Sequence, residues 1–264
     1  MSRSERPSKP SGGSVRRAYD AWHERYGVDA QSEAPWHRLV KQHLDTPRDT
    51  RARRVLEIGS GRGGFACWLA GHEDKPAMLV AGDFARTAVH KGRAFTHAQG
   101  VTGIRWVIGD IQTVPHPDDT FDTIVSCETI EHVPDPWRAL RELARVLRPG
   151  GRLYLTTPNY LGTMGLYRMY LRLTGRRFTE EGQPINHPVV LPRTVVWVRR
   201  AGLQVLTVDA VGHYLPFPGR PPIEISTLNR PRWLMRWLGL HSLVVAVKPP
   251  ATTQTRPRTA ARRW

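Results

Sequence analysis

The residues Val55-Leu56-Glu57-Ile58-Gly59-Ser60-Gly61-Arg62-Gly63-Gly64-Phe65 join an apolar run, a carboxylate and a cluster of glycines. The apolar run reads as a buried strand, the glycines as a turn, and the residues after the turn as the opening of a helix. Glycine lets the backbone turn tightly and lets a ligand approach without interference from a Cβ atom. Gly59, Gly61 and Gly64 also meet the spacing of a dinucleotide-binding turn. Glu57 separates the ligand classes. A carboxylate two residues before the first glycine repels a pyrophosphate and suits a ligand with an ammonium group and no phosphate. Three more acids come after apolar runs: Asp83 in Ala81-Gly82-Asp83-Phe84, Asp110 in Gly109-Asp110-Ile111, and Glu128 in Ser126-Cys127-Glu128. A carboxylate at Asp83 can accept two hydrogen bonds from a ribose diol. Asp110 and the Ile111 backbone can meet an adenine amino group, with Phe84 and Ile111 flanking the ring. Each acid alone also reads as a helix cap or a turn residue. Their order after a glycine turn is the feature that points to a ligand.

These groups need a scaffold that brings strand ends together. From Arg53 the pattern alternates: strands over 53–58, 77–82, 104–108, 121–126 and 151–156, with helices over 62–71, 85–99 and 136–147. Pro149-Gly150-Gly151 reads as a sharp turn into the fifth strand. Such alternation predicts an α/β fold with a Rossmann-like, seven-stranded, mostly parallel sheet and helices on both faces. Ligands of such sheets sit beyond the carboxyl ends of the strands, where the strand order switches. A helix over 192–201, a strand over 203–210 and a last strand over 240–247 complete the set. Residues 158–188 interrupt it as a helical insertion, with an amphipathic helix from Leu161 to Arg177. Residues 15–46 read as helical, with Tyr19, Trp22 and Tyr26 on one face as an aromatic lid or as packing. Trp233 and Trp237 read as packing. Residues 1–14 and 249–264 read as disordered tails around one domain over 15–248.

S-adenosylmethionine is a ligand with an ammonium group and no phosphate. The chain resembles the class I S-adenosylmethionine-dependent methyltransferases, and within them the type 11 group that includes the ubiquinone-biosynthesis-like enzymes. The resemblance covers about residues 15–248 and rests on the glycine segment, Gly82-Asp83, Gly109-Asp110 and Phe121-Asp122-Thr123-Ile124-Val125-Ser126. It continues through Glu131-His132-Val133-Pro134-Asp135-Pro136, Leu147-Arg148-Pro149-Gly150-Gly151 and Thr157-Pro158-Asn159. It implies S-adenosylmethionine as cofactor, with Glu57, Gly59, Ser60, Gly61 and Gly63 at its methionine part, Asp83 at the ribose, Asp110 and Ile111 at the adenine with Phe84 flanking the ring, and Cys127 and Glu128 beside them. It implies methyl transfer and says almost nothing of the acceptor; a small molecule is expected, with oxygen favoured over nitrogen or carbon. An oxygen acceptor needs a base, and a histidine titrating near neutrality suits that. His132 is the candidate; His187 and His213 are weaker ones.

Other readings stay open. Glu128-x-x-Glu131-His132 with His187 resembles the metal site of small-RNA 3′-terminal ribose methyltransferases, although no metal is expected here. The glycine spacing admits a nicotinamide-dependent oxidoreductase, which Glu57 disfavours. A binding module without catalysis is a further alternative. The chain of 264 residues carries 39 basic and 23 acidic residues, a formal charge of +16. That charge raises nucleic acid or an anionic surface as partners. Arginine supplies most of it, and the ends hold much of it: residues 1–17 have five basic residues and one acid, and 249–264 have four arginines and no acid. Cys67 and Cys127 suggest no disulfide framework. With no run of about 18 apolar residues and no apolar segment after the N-terminal arginines, a cytoplasmic protein without a membrane span is expected. The Leu/Tyr/Met face of the insertion can hold a greasy group or dock on a membrane surface, and its arginines can hold an anionic acceptor.

Overall fold

The computed structural model describes residues 12–175, 183–217, 220–225, 227 and 232–250. Three helices precede the sheet: α1 (Gly12–Glu24), α2 (Pro35–His43) and α3 (Thr46–Asp49). The alternating block then runs β1 (Arg54–Ile58), α4 (Gly64–Gly71), β2 (Met78–Asp83), α5 (Arg86–Ala98), β3 (Ile104–Ile108), β4 (Phe121–Cys127), α6 (Pro136–Val146) and β5 (Leu147–Pro158). After it come α7 (Thr163–Leu173), α8 (Leu191–Arg200), β6 (Gln204–Val211), a hairpin of β7 (Tyr214–Phe217) and β8 (Arg220–Glu224), α9 (Arg232–Met235) and β9 (His241–Val247). The main sheet has seven strands in the order β3-β2-β1-β4-β5-β9-β6. Only β9 runs against its neighbours. The chain moves outward from β1 through β2 to β3 and returns to β4, so the order reverses between β1 and β4.

The pleat sorts the strand residues onto two faces. Leu56 and Ile58 of β1, Ile124 of β4 and Leu153 of β5 pack with Leu140 and Leu143 of α6 and with Val195 and Val198 of α8. Val55, Val125 and Tyr154 point the other way, against Leu39 and Val40 of α2 and Phe65 and Leu69 of α4. Glu57 lies two residues after Val55 and so on the α4 face, where the Ala66 backbone N–H donates to its carboxylate. Buried carboxylates at the opposite, N-terminal edge of the sheet are matched with arginines. Asp49 pairs with Arg48, Asp74 with Arg51 and Asp122 with Arg148.

Several expectations are corrected. The stretch expected to be helical over 15–46 holds α1, α2 and the first residue of α3, with α1 and α2 parted by a turn at Asp29. Its carboxylate accepts from the backbone N–H of Ser32 and Glu33 at 3.1 and 3.0 Å. Pro35 then starts α2, where a missing N–H costs nothing. Residues 12–14, expected in a tail, belong to α1, which begins at Gly12, and Val15 is buried. Residues 1–11, 251–264 and part of the insertion, 176–182, lie outside the described residues. The fifth strand starts at Leu147 and absorbs Gly150 (φ +78°) as an irregularity. The β7–β8 hairpin departs from the expected pattern, since its four prolines over 216–222 argue against strand. Trp237 packs on the core, but Trp233 is exposed.

Gly63 caps α4 with φ +75°, and a Cβ placed there would lie 2.1 Å from the Trp106 ring. Gly63→Ala should therefore cost at least about 1–2 kcal/mol from backbone handedness alone, before the clash with Trp106. A urea titration should show a lower midpoint with an unchanged slope.

Candidate active site

A cavity of about 560 Å³ opens at the carboxyl ends of β1, β2 and β4, at the switch in strand order. One end is walled by Gly59, Ser60, Gly61, Arg62, Asp83, Phe84, Asp110 and Ile111. The other is walled by Cys127, Glu128, Glu131, His132, Tyr160, His241 and the α2 residues Trp36 and His37. Two expected members lie off this wall. Gly63 faces Trp106, and Glu57 is buried behind the turn.

The turn is shaped by the end of β2. The Gly61 N–H donates to one Asp83 carboxylate oxygen at 2.7 Å, and the Ala85 N–H donates to the other at 2.8 Å. Asp83 thus serves the backbone without capping α5, whose N-cap is Ala85, and each oxygen, having accepted one bond, can accept another at the cavity that Asp83 lines. Burial pushes its pKa up to about 6. Burial also pushes the Glu57 carboxyl up to about 8, against the Ala66 hydrogen bond that favours its ionised form. Oε2 of Glu57 and the hydroxyl of Ser60 are buried without a hydrogen-bond partner. Among the described residues no cation pairs with Glu57, in contrast with Asp49, Asp74 and Asp122 at the far edge of the sheet. Asp110 accepts from the Gln112 backbone N–H at 2.8 Å and from the Gln112 side-chain amide at 3.1 and 3.2 Å, a tight turn that aims Ile111 into the cavity.

At the other end the backbone is strained. Glu128 has φ +46°, a left-handed conformation that costs a non-glycine residue about 1–2 kcal/mol. Such an outlier at a strand end is a functional pointer. The Glu128 N–H donates to the Thr156 carbonyl at 3.1 Å, one carboxylate oxygen lies 3.6 Å from Nδ1 of His241, and Oε1 is buried without a partner. Burial raises the Cys127 thiol well above its usual pKa, so it stays protonated. His132 sits in a short 3₁₀ turn over Ile130–His132. Its Nδ1 lies 2.8 Å from the Ile185 carbonyl, and only an N–H can face a carbonyl, so the neutral ring keeps its lone pair on Nε2. That nitrogen is 3.5 Å from Oε1 of the buried Glu131. His187 turns elsewhere, with Nε2 donating to the Val133 carbonyl at 2.9 Å. Among the described residues no group of three or more His, Cys, Asp or Glu side chains is placed to hold a metal ion. His213 meets the Met235 carbonyl and does not line the cavity.

The N-terminal helices roof the cavity. Tyr19 and Trp22 of the aromatic face line it, while Tyr26 is exposed and packs on Trp22. The Tyr19 hydroxyl donates to the His132 carbonyl at 3.0 Å. Asp20 accepts from the Thr87 N–H at 2.9 Å and so caps the start of α5. In return Lys91 of α5 donates to the carbonyls of His23 and Glu24 at the end of α1, at 3.1 and 2.7 Å. Arg62 joins the turn to the roof: it donates to the Gly27 carbonyl and to Nδ1 of His23, and lies over the rings of Trp22 and Tyr26. Sequence reasoning missed Arg62, His23, Asp29, Trp36, His37 and His241 as cavity residues. Arg62 had a signal, its place inside the glycine turn. The others come from segments whose proximity only tertiary packing creates.

Residues 56–155 match the methyltransferase domain family. The match is to the type 11 methyltransferase group and runs from β1 into β5, the strands whose ends wall the cavity. The chain is 31% identical over 147 residues to methyltransferase GfsG of Streptomyces halstedii, covering 55% of this chain and 52% of that protein. It is 28% identical over 180 residues to a ubiquinone biosynthesis O-methyltransferase of Coxiella burnetii, covering 66% and 73%. A methyltransferase solved in complex with the Haloferax volcanii Trm112 methyltransferase activator shares the fold, with a TM-score of 0.63, 23% identity and coverage of 89% and 97%. The chain spans about half the length of the first curated relatives it matches.

Burial holds His23 and His37 at pKa values of about 4, so both are neutral at pH 7. Their folded values lie below the ordinary 6.5, so the stability they lend is present above that pH and is lost as pH falls toward about 4. Hydrogen exchange should show α1 and α2 losing protection over this window before the sheet does. His37→Gln should blunt the effect.

Proposed function

We propose that this chain transfers the methyl group of S-adenosylmethionine to an oxygen of a small-molecule acceptor. The observation that carries the reading is the glycine turn held by Asp83, beside a buried carboxyl that has no cation. The fit comes from donor chemistry. Gly59 and Gly61 let the cofactor's amino-acid part approach the backbone, and Ser60 and Glu57 have unused polar atoms behind it. The spare lone pairs of Asp83 take ribose hydroxyls. Phe84 and Ile111 flank the adenine, and Asp110 with the Ile111 backbone meets its amino group. Cys127 and Glu128 close the wall toward the acceptor. When bound, S-adenosylmethionine supplies a methyl already activated on a sulfonium. The protein's task is to align an acceptor atom with it, and positioning of this kind can be worth about 7–11 kcal/mol.

For an oxygen acceptor His132 takes the proton on Nε2. The Ile185 carbonyl fixes the tautomer, and Glu131 faces the imidazolium that forms. The Coxiella burnetii relative is an O-methyltransferase by name, which supports oxygen. His132→Ala should lower turnover by about 10²–10⁴-fold across a panel of hydroxylated acceptors while leaving cofactor affinity unchanged. Unchanged turnover would remove His132 from the chemistry.

The cofactor reading is tested by calorimetry with S-adenosylhomocysteine, which keeps the ammonium group, against NAD. Binding of NAD alone would overturn it. A cation beside Glu57 lowers the pKa of its carboxyl from about 8, so binding should release a proton at neutral pH. Affinity should rise with pH up to about 8 and then level, and Glu57→Gln should flatten that rise.

A further inference from the structure

We infer that the face formed by α7, the β7–β8 hairpin and α9 docks on an anionic lipid surface. Leu166, Met169, Tyr170 and Leu173 of α7 recur at helical spacing and form one stripe. All four are exposed, Leu166 by 63% and Leu173 by 80%. The opposite side of α7 is the one that packs: Leu171 is buried. Ile223 of the hairpin, at 58%, and Trp233 of α9, at 75%, are likewise exposed. These elements share one base. The start of α7 is packed tightly on the Leu238 carbonyl, the Asn159 amide donates to the Trp237 carbonyl at 2.8 Å, and Nε2 of His213 donates to the Met235 carbonyl at 3.0 Å.

Six large apolar side chains exposed on elements that share a base point to a binding face. Its charge selects the occupant. Arg172 and Arg236 are exposed on α7 and just after α9. Arg168 and Arg172 belong to α7, Arg176 and Arg177 follow it in sequence, and Arg220, Arg232 and Arg236 lie on β8, on α9 and just after it. Glu224 is the one acid described on the hairpin. A chain of charge +16 repels a second copy of itself and is attracted to anionic headgroups. An apolar stripe flanked by arginines suits the boundary between headgroups and acyl chains. The described helices include none long and apolar enough to cross a membrane, so the contact is peripheral. The face also adjoins the cavity: Tyr160, just before α7, lines it and is covered by Arg168. Lipid binding by this face is independent of what the cavity holds.

Flotation of the full chain with phosphatidylcholine vesicles, and with vesicles that also contain phosphatidylglycerol, tests this. The chain should float with the anionic vesicles and only weakly with the neutral ones. Met169→Asp combined with Leu173→Asp, at exposed positions, should lower the partition coefficient by about a hundredfold, with the circular dichroism spectrum and melting temperature unchanged. Flotation with neither vesicle would overturn the assignment, as would equal flotation of the wild type and the double variant. A concentration-dependent dimer in light scattering that the double variant dissolves would give the face to a second copy and overturn it as well.

Discussion

The constraint on which the rest of the molecule depends is a buried carboxyl without a cation. Removing a carboxylate from water is expensive, and proteins usually meet that cost by pairing or by protonation. This chain does both, at opposite edges of one sheet. Where the strands begin, Asp49, Asp74 and Asp122 have arginine partners. Where β1 ends, Glu57 has one backbone N–H and an orphaned oxygen, and its pKa rises to about 8. The first edge is built for stability. The second holds back electrostatic capacity that a cationic ligand can use.

The geometry around Glu57 results from a few local decisions. Reversal of the strand order between β1 and β4 leaves room above both. Asp83 reaches across from β2 to fix the Gly61 N–H, so the shape of the turn is set by the neighbouring strand as well as by its own glycines. The strained Glu128 at the end of β4 turns a second carboxylate toward the same space. The roof then closes over the first wall through Arg62, which belongs to the turn and grips α1 and the loop after it.

Much of this was legible in the sequence, for a physical reason. Parallel strands buried on both faces leave long apolar runs, and the glycine turn has almost no other use at the end of such a run. Glu57, Asp83, Asp110 and Glu128 could be placed by counting strands. The illegible part was whatever depends on distant segments meeting. His37 and His241 come from α2 and β9, and nothing local marks either for the cavity. Asp83 reads as a ligand group or as a cap, and it serves the backbone in another way, by tying the glycine turn to the loop before α5. The split between α1 and α2 hides in a turn that Asp29 stabilises through its own side chain. The β7–β8 hairpin hides behind prolines.

The reciprocal caps between α1 and α5 bear on how the cavity exchanges its contents. Asp20 holds the first turn of α5 while Lys91 holds the last turn of α1, so neither helix can shift without stranding backbone groups of the other. A ligand beneath the roof is therefore covered by a helix fastened to α5 at two points, and uncovering it means parting both.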